Sequence, residues 1–175
     1  MVELVQGDIT LSTTAAIANA ANAMLIGGGG VDGAIHRAAG PALRAALREI
    51  KQRLAGGVLE TGKAVITPGF GLNARYVIHC VGPIYDREGD RAPSLLASCY
   101  ETALSLCREH EIDSIAFPSI STGVYGYPVA DAARVALEAV FRELASAPGP
   151  ALCRFVLFDA ATLDAYERAA AELRE

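Results

Sequence analysis

The chain reads Ala18-Asn-Ala-Ala-Asn-Ala-Met-Leu-Ile-Gly-Gly-Gly-Gly-Val-Asp-Gly-Ala-Ile-His36 where a short apolar run gives way to a helical pattern. Two asparagines, four consecutive glycines and an aspartate–histidine pair share this one connection. Four glycines in a row destabilise a helix or a strand, so such a run is either a flexible linker or a place where backbone lies against a ligand. The polar residues on both sides of the glycines favour a ligand-binding connection between a strand and a helix.

The same succession of strand and helix continues along the whole chain. Apolar runs of strand length predict strands at residues 2–6, 15–18, 64–67, 76–80, 114–118 and 154–158. Apolar residues at three- and four-residue spacing, with charges opposite, predict helices at residues 33–54, 94–110, 129–145 and 163–174. Gly, Pro and charged residues predict loops at 56–57, 86–93 and 147–150. This alternation indicates an α/β sandwich.

Length and composition indicate a single domain over residues 1–175. The chain is 52% apolar, which is enough to fill one sizeable core. Its net charge of -5 and the lack of a lysine or arginine cluster argue against nonspecific nucleic-acid binding. Because the sequence has neither a signal peptide nor an apolar run of bilayer length, we expect a soluble cytoplasmic protein without a membrane partner. The scattered cysteines lack zinc-binding spacing, so we expect reduced, mostly buried thiols.

Three loops that follow predicted strands carry polar or glycine-rich sequence. They are Gly7–Thr10, the Ala18–His36 connection and Ser119–Pro128. Ligands of open α/β sheets bind outside the carboxyl ends of the strands, where loops lead into helices. We therefore expect the three loops to face one shared cleft.

The glycine run fits a dinucleotide fingerprint only in its spacing, Gly28-x-Gly30-x-x-Gly33. That fingerprint starts directly after a strand, whereas here Asn-Ala-Ala-Asn-Ala-Met-Leu-Ile intervenes. A P-loop is excluded as well, because no Gly-Lys-Ser/Thr follows. What remains is an anion site made of backbone N–H groups in a glycine turn and in the first turn of a helix.

The loop Ser119–Pro128 has a similar character. It offers hydroxyls, free backbone N–H groups and two glycines, and Pro128 fits the first turn of a following helix. One interpretation is a plain strand-to-helix turn with a Ser or Thr cap. Two such loops after strands favour the other interpretation, which is a diphosphate bound between them. The serines do not form G-x-S-x-G, which argues against an acyl-enzyme nucleophile.

Asp32 and His36 are four residues apart at the start of the predicted helix, and therefore on one face. Asp32 is either a helix cap or a ligand-contacting carboxylate that orients or deprotonates water. The adjoining glycines and His36 favour the second role. Asn19 and Asn22 follow the predicted strand, and they either close turns or hydrogen bond the diol of a ribose.

Residues near the first and last predicted strands suit an adenine ring. Asp8 offers an acceptor and the Ile9 amide a donor, which together match an adenine edge. Phe158 is either a stacking face or a core residue. We assign the remaining histidines, His79 in Tyr-Val-Ile-His-Cys and His110 at a helix end, to packing and to the helix dipole.

Six segments carry a resemblance to a known family. They read Gly-Asp-Ile-Thr, Ile17-Ala-Asn-Ala-Ala-Asn, Gly-Gly-Gly-Gly-Val-Asp-Gly-Ala-Ile-His-Arg-Ala-Ala-Gly-Pro, Thr61-Gly-Lys-Ala-Val-Ile-Thr-Pro-Gly, Val77-Ile-His-Cys-Val-Gly-Pro and Phe117-Pro-Ser-Ile-Ser-Thr-Gly-Val-Tyr-Gly-Tyr-Pro. In order and spacing they cover essentially the whole chain, which resembles a macrodomain of the MacroD type. The resemblance implies a three-layer α/β/α sandwich with a central mixed sheet and a cleft for ADP-ribose. It also implies hydrolysis of mono-ADP-ribose esters on aspartate or glutamate side chains, and of O-acetyl-ADP-ribose.

The resemblance assigns roles to individual positions. The catalytic residues would be Asn22, Asp32 and His36, with water activated either by Asp32 or by the substrate's own phosphate. The residues against adenine would be Asp8, Ile9 and Phe158, and those at the distal ribose would be Asn19, Asn22 and Asp32. The residues around the diphosphate would be Gly29, Gly30, Val31, Ser121, Thr122, Gly123, Val124 and Tyr125, the last of which would also cover the distal ribose. No metal or redox cofactor is required by this mechanism.

Two other functions stay open beside hydrolysis of protein esters. A non-catalytic reader would bind ADP-ribosylated proteins without cleaving them, although readers often lack Gly-Gly-Val-Asp-Gly-Ala-Ile-His. Removal of ADP-ribose from nucleic-acid ends is the second, and the acidic composition is unhelpful for it.

One position departs from the family pattern, because Ala15 stands where an acidic residue is common. This substitution bears on how the segment that contains Asn19 and Asn22 is held in place.

Overall fold

A mixed sheet forms the centre of the structure, a computed structural model that describes residues 1–174. Within those residues the strands are β1 (Val2–Gln6), β2 (Ala16–Ala21), β3 (Ala64–Pro68), β4 (Tyr76–Val81), β5 (Ser114–Phe117) and β6 (Leu152–Leu157). Their order in the sheet is β1-β6-β5-β2-β4-β3. Neighbouring strands are parallel except β3 and β4, which are antiparallel.

Helices lie on both faces of the sheet. Within residues 1–174 they are α1 (Gly30–Ala39), α2 (Pro41–Arg53), α3 (Tyr85–Glu88), α4 (Ala92–Glu109), α5 (Val129–Ser146) and α6 (Ala160–Glu172). Side chains alternate along each strand, so Ile17 packs on the side of α1 and α2, whereas Ala16 and Ala18 pack on the side of α4, α5 and α6. The predicted three-layer α/β/α sandwich with a mixed sheet is confirmed. No helix in this part of the chain is both long and apolar enough to cross a membrane.

Two predicted segments differ most from the structure, while the predicted loop 56–57 lies in a single 3-10 turn and β6 ends at Leu157, one residue before its predicted end. The predicted helix 33–54 is broken at Gly40, whose φ of 86° ends α1, and Pro41 begins α2. Glycine tolerates this backbone conformation, and proline fits the first turn of a helix. The predicted loop 86–93 contains most of α3 and the first two residues of α4, where Pro93 is placed favourably for the same reason.

β2 is longer than predicted, and this changes the setting of Asn19. The strand continues to Ala21 and pairs with β4 along its whole length. Asn19 therefore lies within the sheet opposite His79, not in a loop after the strand, and both side chains are fully buried. Two polar side chains thus meet inside the core.

The cysteines Cys80, Cys99, Cys107 and Cys153 are free and buried, as predicted. Burial raises the pKa of Cys99 to about 12, so this thiol stays protonated and packs as a small apolar group.

Candidate functional site

A cleft with a cavity volume of about 330 Å³ opens at the carboxyl ends of β2, β4 and β5. The lining residues are 20–22, 28–32, 82, 119–121 and 123–125. Two of the three loops chosen from the sequence, the Ala18–His36 connection and Ser119–Pro128, therefore share this cleft. The third loop, Gly7–Thr10, contributes none of the lining residues.

The glycine run shapes one wall of the cleft. Gly29 is the N-cap residue of α1 and provides no side-chain cap, and Gly30 has φ 58°, a value that favours glycine. A Cβ at Gly33 would lie 2.4 Å from the Gly28 carbonyl oxygen, so only glycine permits this close approach. Because no side chain caps α1, its first backbone N–H groups remain available to an anion.

The loop after β5 forms the opposite wall, and Ser121 is its most constrained residue. Ser121 has φ 67°, and its buried Oγ has no hydrogen-bond partner within residues 1–174. A Cβ at Gly82 would lie 2.2 Å from that Oγ, so the chain after β4 packs tightly against the loop. The Tyr127 N–H donates to the Ser121 carbonyl at 2.9 Å. Strained backbone and unpaired buried hydroxyls of this kind concentrate at binding sites.

Asp32 lies in the first turn of α1 and is 5% exposed. Its Oδ1 accepts a hydrogen bond from Asn19 Nδ2 at 2.8 Å, and His36 Nε2 lies 3.3 Å from the same oxygen. Asp32 and His36, which were predicted to share one face of the helix, are therefore in contact. Burial raises the pKa of Asp32, while the hydrogen bond from Asn19 and the charge of His36 act in the opposite direction. The cap interpretation is wrong, since Gly29 is the N-cap residue.

Asn22 borders the cleft, and its side chain closes a turn. Nδ2 donates to the Gly27 carbonyl at 2.9 Å, and Oδ1 accepts from the Ile26 N–H at 3.3 Å. Gly28 lies beside both Asn22 and Asp32, because a Cβ at Gly28 would be 3.5 Å from Asp32 Oδ2 and 3.8 Å from Asn22 Nδ2. The missing side chain at Gly28 therefore leaves space next to these two polar groups.

Asn19 lies below the cleft and is not part of its lining. Besides Asp32, its Nδ2 contacts His79 Nδ1 at 3.1 Å, and Thr67 Oγ1 lies 3.0 Å from His79 Nε2. Burial lowers the pKa of His79 to about 3, and the charge of His36 adds to this effect. The imidazole is therefore neutral at ordinary pH. A buried chain of polar groups connects β3 through the sheet to Asp32.

The residues assigned to adenine lie at the end of the sheet where β1 and β6 are neighbours. Asp8 caps a single helical turn with its carboxylate, and Ile9 is buried behind it. Phe158 directly follows β6 and is 81% exposed, so the core interpretation of this residue is wrong. The Gly7 N–H donates to the Leu157 carbonyl at 2.9 Å, which ties together the two chain segments that carry Asp8 and Phe158.

The outer rim of the cleft comes from the loop after β5. Val124 is fully exposed and Tyr125 partly so. Burial raises the pKa of the Tyr125 phenol, and the negative charge of Asp32 raises it further, which fits a position across the cleft from Asp32. Thr122 is not a lining residue, because its hydroxyl turns back to donate to the Ser119 carbonyl at 3.1 Å.

Sequence reasoning missed Thr67 and Gly82 and assigned His79 to packing alone. A histidine inside the apolar run Tyr-Val-Ile-His-Cys was the available signal, because a buried polar side chain needs hydrogen-bond partners. Thr67 and Gly82 offer no such signal, since their roles appear only when β4 lies next to β3 and to the loop after β5.

Comparison with known proteins identifies relatives over nearly the whole chain. A sequence model of the Macro domain matches residues 18–136. The chain is 50% identical over 171 residues to a macro domain-containing protein of Chlorobaculum tepidum, which covers 98% of this chain and 96% of the relative. It is 48% identical to a protein of Cronobacter sakazakii named O-acetyl-ADP-ribose deacetylase, over 95% of this chain and 92% of that protein.

Solved structures of macrodomains have the same fold as this chain. The Oceanobacillus iheyensis macrodomain with ADP superposes with a TM-score of 0.96 at 47% identity, over 99% of this chain and 91% of that chain. The Trypanosoma brucei macrodomain in complex with ADP-ribose has a TM-score of 0.84 at 41% identity, over 97% of this chain and 68% of that chain. On the sequence model, the relatives and the shared fold, the chain belongs to the Macro domain family.

Proposed function

We propose that this protein binds ADP-ribose in the cleft and hydrolyses esters formed on its distal ribose. The substrates are O-acetyl-ADP-ribose and proteins that carry mono-ADP-ribose on aspartate or glutamate side chains. The observation that carries the proposal is a nearly buried carboxylate, Asp32, in the uncapped first turn of α1 at the wall of the cleft. Relatives named O-acetyl-ADP-ribose deacetylase support the same chemistry.

In this proposal the diphosphate lies between the N-terminus of α1 and the loop after β5. Backbone N–H groups at Gly29, Gly30 and Val31 supply partial positive charge without a cationic side chain. On the other wall, Ser121 Oγ, which has no hydrogen-bond partner among residues 1–174, offers a further donor. The remaining contacts come from Thr122, Gly123, Val124 and Tyr125. Oriented backbone dipoles explain how a protein of net charge -5 attracts an anionic ligand.

The adenine end of the ligand is proposed to lie at Asp8, Ile9 and Phe158. Because β5 neighbours β6 and β6 neighbours β1, a ligand that starts at Asp32 would cross the carboxyl ends of four adjacent strands. Three strand spacings correspond to about 14 Å. The exposed Phe158 ring is free to stack on a base, and such rings gain both buried area and stacking energy.

Asp32 is the proposed catalytic residue, with Asn22 and His36 beside it. Asn19 and His36 both contact Oδ1, and Oδ2 lies on the side of Gly28, where space is left for water. The water oxygen bonds to the ester carbonyl carbon, and its proton passes to Asp32 or to a phosphate oxygen of the substrate. The bond between the acyl carbon and the ribose oxygen then breaks, and the ribose oxygen takes a proton. Asn22 orients the distal ribose, and His36 holds the carboxylate.

The test replaces Asp32 with asparagine, which keeps the size of the side chain and removes its charge. We expect turnover of O-acetyl-ADP-ribose and of a glutamate-linked substrate to fall roughly 100-fold or more, because the base or the water-orienting group is lost. ADP-ribose affinity, measured by calorimetry, should change far less. Asp131→Asn is the matched control, since it makes the same change at an exposed aspartate in the first turn of α5.

Two outcomes would contradict this assignment. Equal turnover in wild type and Asp32→Asn would remove Asp32 from the chemistry. Wild-type protein that binds ADP-ribose and releases product from neither substrate would instead be a reader of ADP-ribosylated partners.

We also propose that residues 1–175 form one macrodomain that works in the cytoplasm. Pairing of β1 with β6 supports a single domain, because the first and last strands of the described residues are then neighbours in one sheet. Free, buried cysteines support a reducing compartment.

A further inference from the structure

A line of polar side chains crosses the buried sheet below the cleft. In order from β3 to α1 the line consists of Thr67, His79, Asn19 and Asp32, and none of them is more than 5% exposed. Asn19 and His79 are register partners on β2 and β4, so their side chains leave the same face of the sheet. Successive contacts measure 3.0, 3.1 and 2.8 Å. The proposed mechanism uses only the last member of this line.

The first member determines where the protons lie. Thr67 Oγ1 lies 3.0 Å from both the Pro68 carbonyl and His79 Nε2, and we assign its single proton to the carbonyl, so that toward His79 it accepts from Nε2–H. A neutral imidazole carries one proton, and Nδ1 is therefore left with a lone pair. That lone pair accepts one N–H of Asn19 Nδ2, and the second N–H of the same nitrogen goes to Asp32.

We propose that His79 is a positioning residue, which acts through Asn19 by holding the amide with its NH₂ group toward Asp32. A flipped amide would place Oδ1 where Nδ2 now lies, facing both the His79 lone pair and the Asp32 oxygen. The present orientation of the amide costs free energy, because Asn19 Oδ1 is buried without a hydrogen-bond partner in the described chain. The orientation makes Asn19 a permanent donor, and a permanent donor favours the ionised form of Asp32.

His36, Tyr125 and Arg87 also act electrostatically on or near this line within residues 1–174. Asp32 faces His36 on its own helix and Tyr125 from the loop after β5. The charge of His36 also lowers the pKa of His79. Replacement of His79 leaves these groups in place, so its effect on Asp32 passes through Asn19. The inference rests on the proposed function for its kinetic readout only.

The experiment compares His79→Leu with His79→Asn. Leucine and asparagine have similar shapes, and an asparagine Oδ1 can replace the Nδ1 acceptor. For His79→Leu we expect kcat to fall roughly 10- to 100-fold with KM little changed, because the carboxylate loses its fixed donor. The acid limb of its pH–kcat profile should move to higher pH. His79→Asn should recover most of both properties, and an equal loss in the two variants with an unmoved profile would overturn the proposal.

A second measurement is independent of turnover. A ¹³C NMR titration of the Asp32 carboxyl group should show a raised pKa in His79→Leu and not in His79→Asn. Wild-type protein that hydrolyses neither substrate would contradict the proposed function, while this titration would still decide the role of His79.

Should His79→Leu fail to fold, the other end of the line gives the same comparison. Thr67→Val removes the acceptor for Nε2–H, and Thr67→Ser keeps it. The valine variant should shift the Asp32 titration in the same direction as His79→Leu, and identical titrations in the valine and serine variants would overturn the proposal.

Discussion

At the residue scale, the wall of the cleft depends on glycines at positions where a side chain has no room or would fill a functional space. Gly33 brings the first turn of α1 against the Gly28 carbonyl, and Gly28 leaves a gap beside Asp32 and Asn22. Gly33 is therefore needed for the packing of the fold, whereas Gly28 leaves space in the candidate site. Alanine substitution at each position distinguishes an effect on stability from an effect on turnover.

Gly33→Ala should lower the free energy of unfolding by about 1–3 kcal/mol, because its Cβ would lie 2.4 Å from a backbone oxygen and the loop must shift. Denaturant unfolding measures this effect, and ADP-ribose affinity should weaken with it. Gly28→Ala is the stability control, since its Cβ makes only ordinary contacts. Its methyl group lies next to Asp32 Oδ2, so turnover should fall while stability stays near wild type. Undiminished turnover in Gly28→Ala would place the attacking water elsewhere.

At the element scale, the helix break at Gly40 explains how α1 and α2 share one face of the sheet. Gly40 combines φ 86° with ψ -179°, a region that is essentially restricted to glycine. The chain turns there within one residue, and Leu43 and Leu47 of α2 pack in the same cluster as Ile35 of α1.

Gly40→Ala should therefore destabilise the protein by about 1–3 kcal/mol through backbone strain alone. A Cβ at this position meets no atom within 4 Å, so overpacking does not contribute. Gly29→Ala is a suitable comparison, because its φ is -91° and its Cβ is equally free of contacts. Thermal and urea unfolding of both variants measure the difference. Equal stability of Gly40→Ala and Gly29→Ala would show that the backbone at Gly40 is not strained by a side chain.

Most element types were predictable from the sequence, whereas the short helix α3 and several element ends were not. The apolar run before Asn19 predicts a strand, but a polar residue in an otherwise apolar segment also looks like the start of a loop. The strand can continue because His79 on β4 provides a contact for Asn19 Nδ2 inside the sheet, and that contact spans 60 residues of sequence. Gly40 and Pro41 were a readable helix boundary, and the helical spacing on either side concealed it.

At the scale of the whole molecule, the candidate site combines local and distant parts, and only the local parts were predictable. Asp32 and His36 lie one helical turn apart, so their contact follows from spacing. Thr67, His79 and Asn19 come together only through the order β2-β4-β3 at the sheet edge. Periodicity of the sequence does not determine strand order, and the buried line therefore needed the structure.

Stability should fall as the pH decreases from about 6.5 toward about 3. Folding holds His79 neutral with a pKa of about 3, whereas the unfolded residue titrates near 6.5. The unfolded state binds more protons in this window, so His79 lowers the free energy of unfolding by up to about 1.4 kcal/mol for each pH unit of acidification. Asp32 opposes this slope, because its raised pKa gives a contribution that is present at low pH and lost as the pH rises.

Urea unfolding at a series of pH values measures this dependence. His79→Asn should show a flatter profile than wild type between pH 6.5 and pH 3. His110→Asn, at an exposed histidine that follows α4, should keep the wild-type slope. A wild-type slope in His79→Asn would show that His79 does not control acid sensitivity.

The pairing of β1 with β6 also determines when the fold can be completed during synthesis. Among the strands of residues 1–174, β1 is made first and β6 last, and the ion pair between Glu3 and Arg154 joins residues 151 positions apart. A nascent chain on the ribosome therefore carries β1 without its neighbour until nearly all other elements have emerged. The segments that hold Asp8 and Phe158 come together only at that step. The proposed adenine site at Asp8 and Phe158 therefore forms only after β6 has been made and has paired with β1.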